Sequence, residues 1–111
     1  MADKLLDYND ALERLGGDEE FLNELLEELL GQVDENLTQI EKALKSQDYE
    51  NLKSLAHSLK GASANLNVTR MAAHFKELEN RGNEQNIAGA DDLLERVKVD
   101  RDELAAFLQR N

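Results

Sequence analysis

The sequence predicts an all-α protein, an antiparallel up-down four-helix bundle with a short extra N-terminal helix. Three observations carry that expectation. The 111 residues contain no proline and only 5% aromatics, while Leu, Glu, Lys and Ala dominate, a composition that favours helix throughout. Apolar residues recur at steps of three and four along each long segment, which is the period of one helix face. Short polar or glycine-bearing stretches join those segments, so sequential neighbours run antiparallel. With 41% apolar residues, the length suits one domain, residues 1–111, with one modest core.

The first helix is expected over Tyr8 to Leu15, ended by Gly16-Gly17, because glycine readily takes the left-handed backbone after a helix. Asp18 is a good N-cap for a long second helix. Its apolar series runs Phe21, Leu22, Leu25, Leu26, Leu29, Val33, Leu37, Ile40 and Leu44, with Gly31 inside it. That glycine weakens the helix by about 1 kcal/mol relative to alanine. Ser46-Gln47-Asp48 forms a turn, and Asp48 or Ser46 caps a third helix over Tyr49 to Leu66. The polar stretch Asn65 to Thr69 breaks it, with Asn67 or Thr69 placed to cap a fourth helix over Arg70 to Arg81. "RGNEQNIAGADD" is expected as a loop. A fifth helix then runs to the C-terminus on Leu93, Leu94, Val97, Leu104, Phe107 and Leu108, with Asp100 a candidate cap for a separate last segment.

Charge and composition exclude several classes of function. A formal net charge of −11 argues against binding nucleic acid through its phosphates. The absence of cysteine removes disulfides, thiol nucleophiles and cysteine metal sites. No run approaches the roughly 18 apolar residues of a membrane span. The start, MADKLLDYND, lacks the basic and apolar regions of a signal peptide. A cytoplasmic protein with no membrane association is therefore expected. The charge is uneven, however. From Asn51 to Lys76 there are four basic residues, Lys53, Lys60, Arg70 and Lys76, and no Asp or Glu. Such a surface would steer an acidic partner or hold a phosphoryl group.

The stretch "LAHSLKGASANL" lies in that window. On a helix turning roughly 100° per residue, Leu52, Leu55, Ala56, Leu59, Ala62 and Leu66 share the core side. His57 falls nearly opposite them. Gly61 and Ala64 follow it on the outer face, Lys53 precedes it by one turn, and Lys60 sits at its flank. An exposed helix position usually holds a long polar side chain, and glycine there costs about 1 kcal/mol relative to alanine. A use for it is clearance, since another molecule can then approach the imidazole closely.

The chemistries open to an exposed imidazole narrow quickly. Neither histidine follows a glutamate by three residues, HEXXH is absent, and His74-x-x-Glu77 is too common a spacing to signify a metal site. A hydrolase would need an acid to orient its histidine, and none lies in the window, although Ser54, Ser58 and Ser63 do. The remaining role is the histidine as nucleophile towards phosphorus, with Lys60 donating charge-assisted hydrogen bonds to the phosphoryl group. The chain has no glycine-rich phosphate loop, so the phosphoryl group would come from one protein and go to another.

At this point the sequence resembles a known family. "AHSLKGASANL" is similar to the signature of histidine-containing phosphotransfer (HPt) domains, whose core is His-x-x-Lys-Gly followed by small residues. "LERLGGDEEFLNELLEELL" resembles the family's N-terminal helix, glycine turn and long second helix, and "AHFKELEN" the helix after the active-site helix. The similarity covers Tyr8 to Arg81 well and the last helix by pattern. It implies that His57 is phosphorylated at Nε2, that Lys60 stabilises the phosphoryl group and that Gly61 gives the partner room. Glu79 occupies the fourth-helix position where the family often has Gln or Glu, from which it would orient the imidazole. Asn67 stands where many members have glycine, and asparagine tolerates the left-handed backbone next best.

The resemblance further implies that the partners are response-regulator receiver domains and the hybrid sensor histidine kinases that contain them. The receiver would bring Mg²⁺ and the phosphoacceptor aspartate. The chain itself would need no metal or other cofactor, and would act as a monomeric phosphocarrier rather than a complete enzyme. Lys53, Gly61, Ala64 and Arg70 are the expected docking residues beside the histidine. Phe21 reads first as core, or else as part of an apolar docking patch with Leu12 and Leu15. His74, beside Met71, Phe75 and Leu78, reads as a partly buried, hydrogen-bonded histidine, and Glu27-Glu28 as a solvated face. Two other readings have less support. A non-catalytic adaptor would have no need of the His57 and Lys60 present here. A kinase dimerisation domain would want an acid after the histidine, where Ser58 stands.

Overall fold

Asp7, Asp18 and Asp48 each accept a hydrogen bond at Oδ1 from the backbone amide three residues on, at 3.1, 3.0 and 3.1 Å. These three carboxylates start the first three helices of the computed structural model, which describes residues 4–110. The helices are α1 (Tyr8–Arg14), α2 (Glu19–Ser46), α3 (Tyr49–Asn65), α4 (Thr69–Glu84) and α5 (Ala90–Arg110). The first three residues of the N-terminal stretch and Asn111 lie outside the description. Each of α2 to α5 packs against its neighbour in sequence, and α5 closes back onto α2. The result is the up-down bundle predicted, with α1 added at the side. None of the described helices is long and apolar enough to cross a membrane.

The core is the set of apolar stripes facing one another. It contains Leu22, Leu26, Leu29, Val33 and Ile40 of α2, and Leu52, Ala56 and Leu59 of α3. Met71, Phe75 and Leu78 of α4 meet Leu93, Leu94, Val97 and Leu104 of α5. Phe75 is the largest side chain wholly removed from water. Burial of that kind is worth roughly 1.5–3 kcal/mol per large side chain, which explains why α2 runs unbroken through Gly31. Phe21 departs from the core reading: it is 45% exposed at the start of α2. It lies one position off the buried stripe that begins at Leu22.

The boundaries of α4 and the course of α5 differ from expectation, each for a local reason. Val68, not Asn67 or Thr69, is the residue before α4, and it makes no side-chain cap. It is buried, so its place is set by packing. Asn67 instead takes the left-handed backbone, at φ 58°. The left-handed caps after α2 and α4 are Gln47 and Gln85, both at φ 54°. Neither has glycine's freedom, but each turn is closed by paired backbone bonds. Asp48 N donates to Ala43 O and Asn86 N to Arg81 O, at 2.9 and 3.0 Å; such bonds satisfy otherwise orphaned carbonyls.

The other two corrections concern α4 and α5. Helix α4 continues to Glu84, so Gly82 lies within it rather than in a loop. Helix α5 is continuous, so Asp100 caps nothing. Its carboxylate is 1% exposed and is held by Arg70 Nε at 2.7 Å and His74 Nδ1 at 2.5 Å. A buried carboxylate persists only when paired in this way. The pairing bears out the reading of His74 as a partly buried, hydrogen-bonded residue.

Gly82 marks the closest approach of α3 and α4. A Cβ built there would lie 3.0 Å from Lys53 Cβ, Lys53 N and Tyr49 O. The same atom built on Gly31 would meet nothing within 4 Å. The two glycines therefore predict opposite signs under one chemical change. Gly31→Ala should gain about 0.5–1 kcal/mol from helix propensity. Gly82→Ala forces the helices apart and should lose about 1–3 kcal/mol. Urea unfolding of the two variants checks this, and stabilisation by both would refute the packing argument.

Candidate functional site

The register of α3 against α4 follows from antiparallel packing. Lys53 lies against Gly82, and one turn further along α3 His57 meets Glu79, one turn back along α4. His57 Nδ1 is 2.8 Å from Glu79 Oε2, and Lys60 Nζ donates to Glu79 Oε1, also at 2.8 Å. One carboxylate thus bridges the two cationic or potentially cationic residues of the His-x-x-Lys motif. Its own side chain is 13% exposed, while that of His57 is 66% exposed.

The hydrogen bond from Lys60 is the chief reason that the Glu79 carboxyl is held below its ordinary value. Partial burial works against this, and the bond to His57 adds to it. Glu79 is therefore ionised at neutral pH, and an ionised carboxylate only accepts. Nδ1 of His57 must carry the proton on that side. The neutral ring then keeps its lone pair on Nε2, on the part of the ring that Glu79 does not cover. The site offers a nucleophilic nitrogen at the surface, oriented from behind.

The space in front of the ring is clear. Gly61 is exposed, and a Cβ at that position would meet nothing within 4 Å. Nothing in the packing of the described residues requires glycine at 61, in contrast to Gly82. Ala64, one turn on, is also exposed.

A sequence model of the Hpt domain family matches residues 24–110. The chain belongs to the Hpt domain family. The phosphorelay intermediate protein YPD1 of Candida albicans is 35% identical over 69 residues, which are 62% of this chain and 38% of that protein. The multistep phosphorelay regulator 1 of Schizosaccharomyces pombe is 32% identical over 80 residues, 72% of this chain and 25% of that protein. The chain thus spans well under half the length of either relative. The crystal structure of histidine-containing phosphotransfer protein B (HptB) from Pseudomonas aeruginosa PAO1 superposes with a TM-score of 0.86 at 24% identity. That match covers 98% of this chain and 95% of the other, and at this identity it bears on the fold.

Within the Hpt domain the other expected site residues fall into three groups. Gly61 and Ala64 lie exposed on α3, as the wheel predicted, and Lys53 is half-buried with its base against Gly82. Leu12 and Leu15 are half-buried at the far end of α1, near in sequence to the exposed Phe21. Arg70 does not join the surface beside His57. Its side chain is 18% exposed, and it bonds Asp100 at 2.7 Å and Glu103 at 2.7 Å. The basic window is consequently less positive than its sequence suggests, since acids from outside it neutralise Lys60 and Arg70.

Gly82 is a residue of the site that sequence reasoning missed. Its signal was present: Met71, Phe75, Leu78 and Gly82 fall at three- and four-residue steps on one face. A glycine ending that buried stripe reads as a close helix contact rather than as a breaker.

The Glu79 bridge has a pH signature. Its folded-state carboxyl titrates lower than the ordinary value of 4.5. Its contribution to stability is therefore present above that value and lost as pH falls through the lower folded value. Unfolding midpoints measured from neutral pH down into the acid range should fall less steeply below about 4.5 in Glu79→Gln than in the native chain. Parallel curves would show that the bridge contributes nothing.

Proposed function

We propose that this Hpt domain is a histidine phosphotransfer module. It accepts a phosphoryl group on His57 Nε2 from one receiver-domain aspartate and passes it to another. The observation that carries the reading is the 2.8 Å contact of His57 Nδ1 with the ionised Glu79, which leaves Nε2 as the outward nucleophile.

The step balances without a proton leaving the site. The Nε2 lone pair forms the P–N bond as the P–O bond of the acyl phosphate breaks, and the receiver carboxylate leaves with that electron pair. The ring becomes an imidazolium whose Nδ1 proton stays on its bond to Glu79. Transfer onward reverses these changes, and the leaving group is neutral imidazole rather than an anion. Glu79 supports both directions by holding the proton in one place. Lys60, already at 2.8 Å from Glu79, would turn part of its hydrogen bonding to the phosphoryl oxygens. Positioning and charge neutralisation account for most catalysis in such a transfer, and the receiver would supply the Mg²⁺.

In this reading the partners are response-regulator receiver domains and hybrid sensor kinases, met by a monomer in the cytoplasm. The chain is a carrier, with chemistry completed only by its partner. Docking uses the clear strip at Gly61 and Ala64, with Leu12, Leu15 and Phe21 as an apolar patch and Lys53 as a cation. The exposure of Phe21, 45% beside the fully buried Leu22, supports a role outside the core.

Two experiments test the proposal. Incubation with a phosphorylated receiver should place acid-labile, base-stable label on the native chain and none on His57→Gln. Label that persists in that variant overturns the assignment. Gly61→Leu adds its side chain to open space, so circular dichroism and thermal midpoint should stay native-like. Transfer from the receiver should nevertheless slow by about tenfold or more; an unchanged rate would refute the clearance argument.

A further inference from the structure

Asn67 sits in the left-handed turn between α3 and α4, at φ 58°, and every polar group it owns is engaged. Its amide donates to Ala64 O at 3.0 Å, and its carbonyl accepts from Asp7 N at 3.0 Å. Its side-chain Oδ1 accepts from an Arg14 guanidinium nitrogen at 2.7 Å, and its Nδ2 donates to Asp10 Oδ2 at 2.6 Å. The same Arg14 nitrogen also reaches Asn65 O, at 3.3 Å. A glycine could adopt the same backbone at less cost and keep the two main-chain bonds. The two side-chain bonds are what asparagine adds, and both run to α1.

Those bonds reach Asp10 and Arg14, on the exposed side of α1. The start of the helix is anchored by Tyr8, whose hydroxyl donates to Asn23 Oδ1 at 2.9 Å and whose ring lies 5.1 Å from that of Phe107. The far end leads into Gly16 and Gly17, at φ 73° and 84°, a joint with little stiffness of its own. Between these points Ala11 is buried and Leu12 and Leu15 pack partly against the core, while Asp10 and Arg14 tie the other side of the helix to Asn65 and Asn67.

We propose that Asn67 is a positioning residue that pins α1 to the end of the active-site helix and so sets the receiver-docking surface relative to His57. This rests on the proposed phosphotransfer function, with Leu12 and Leu15 in the docking patch. Asn67 touches neither the phosphoryl group nor the imidazole; it acts through α1. Its effect therefore falls on engagement of a receiver and not on the intrinsic reactivity of Nε2.

The test separates these two quantities. Phosphoramidate, a small donor that needs no docking surface, should label His57 at the same rate in the native chain and in Asn67→Gly. With the receiver domain that labels the native chain fastest as donor, Asn67→Gly should raise the KM by about tenfold, the loss expected for two hydrogen bonds. Hydrogen exchange of the amides of residues 12–15 should quicken by a similar factor, about tenfold, while that of α3 stays native. A partner swap supplies the control. Asn67→Asp alone sets two carboxylates against each other and should resemble Asn67→Gly. Adding Asp10→Asn restores a donor to face the new carboxylate, which still accepts from Arg14, and should recover the native KM. An unchanged receiver KM in Asn67→Gly, or no recovery in the double variant, overturns the inference. Failure of phosphoramidate and of every receiver to label the native chain would instead overturn the phosphotransfer function.

Discussion

A side chain at position 82 would stand 3.0 Å from the backbone of α3, and that missing methyl group fixes how close α3 and α4 can lie. The spacing has chemical consequences because glutamate and histidine side chains are short. Glu79, one turn before Gly82, reaches His57 and Lys60 together at 2.8 Å only where the helix axes are near. Hydrogen bonds weaken steeply with distance, so a separation of one ångström at the crossing would cost the bridge both of its bonds. The nucleophile's tautomer, the restraint on Lys60 and the outward Nε2 all follow from that one contact between helix backbones.

The bridge also separates two tasks that a single residue would perform poorly. A histidine exposed enough for another protein to reach has few contacts of its own and would sample several rotamers. Glu79 is largely shielded, 13% exposed against 66% for His57, and so holds the imidazole from the dry side without covering the reactive nitrogen. Orientation comes from α4 and access from α3. In the proposed function Gly61 serves access alone, since no described residue packs against its open side. The two glycines flanking the site differ in kind: Gly82 admits a neighbouring helix, whereas Gly61 faces open space, which the proposed function gives to a second molecule.

Much of this was legible in the sequence, and the limits were physical. The outer face of α3 was readable because helical periodicity places His57, Gly61 and Ala64 opposite the leucines within a single element. The role of Glu79 came from resemblance, and its geometry required the α3–α4 register, which depends on contacts 19 and 22 positions apart. Arg70 was misread for the same reason. Its partners Asp100 and Glu103 lie on α5, and nothing near it in sequence announces them. Asp100 looked like a cap because it follows Val97-Lys98-Val99, whose two β-branched residues interrupt the helical reading. Burial and two cationic partners allow it to sit in mid-helix instead.

Asn67 shows how local and distant constraints meet in one residue. Local reasoning accounts for its backbone: the turn needs a positive φ, and asparagine tolerates it. That account makes asparagine an inferior glycine and leaves its side chain unexplained. The explanation lies in Asp10 and Arg14, one acceptor and one donor spaced by a helical turn, which match the two ends of a carboxamide. No other side chain offers both a donor and an acceptor at that length while tolerating the left-handed backbone as well. The turn that ends the active-site helix is thereby also the attachment point of the N-terminal helix, and the position of one is not independent of the other.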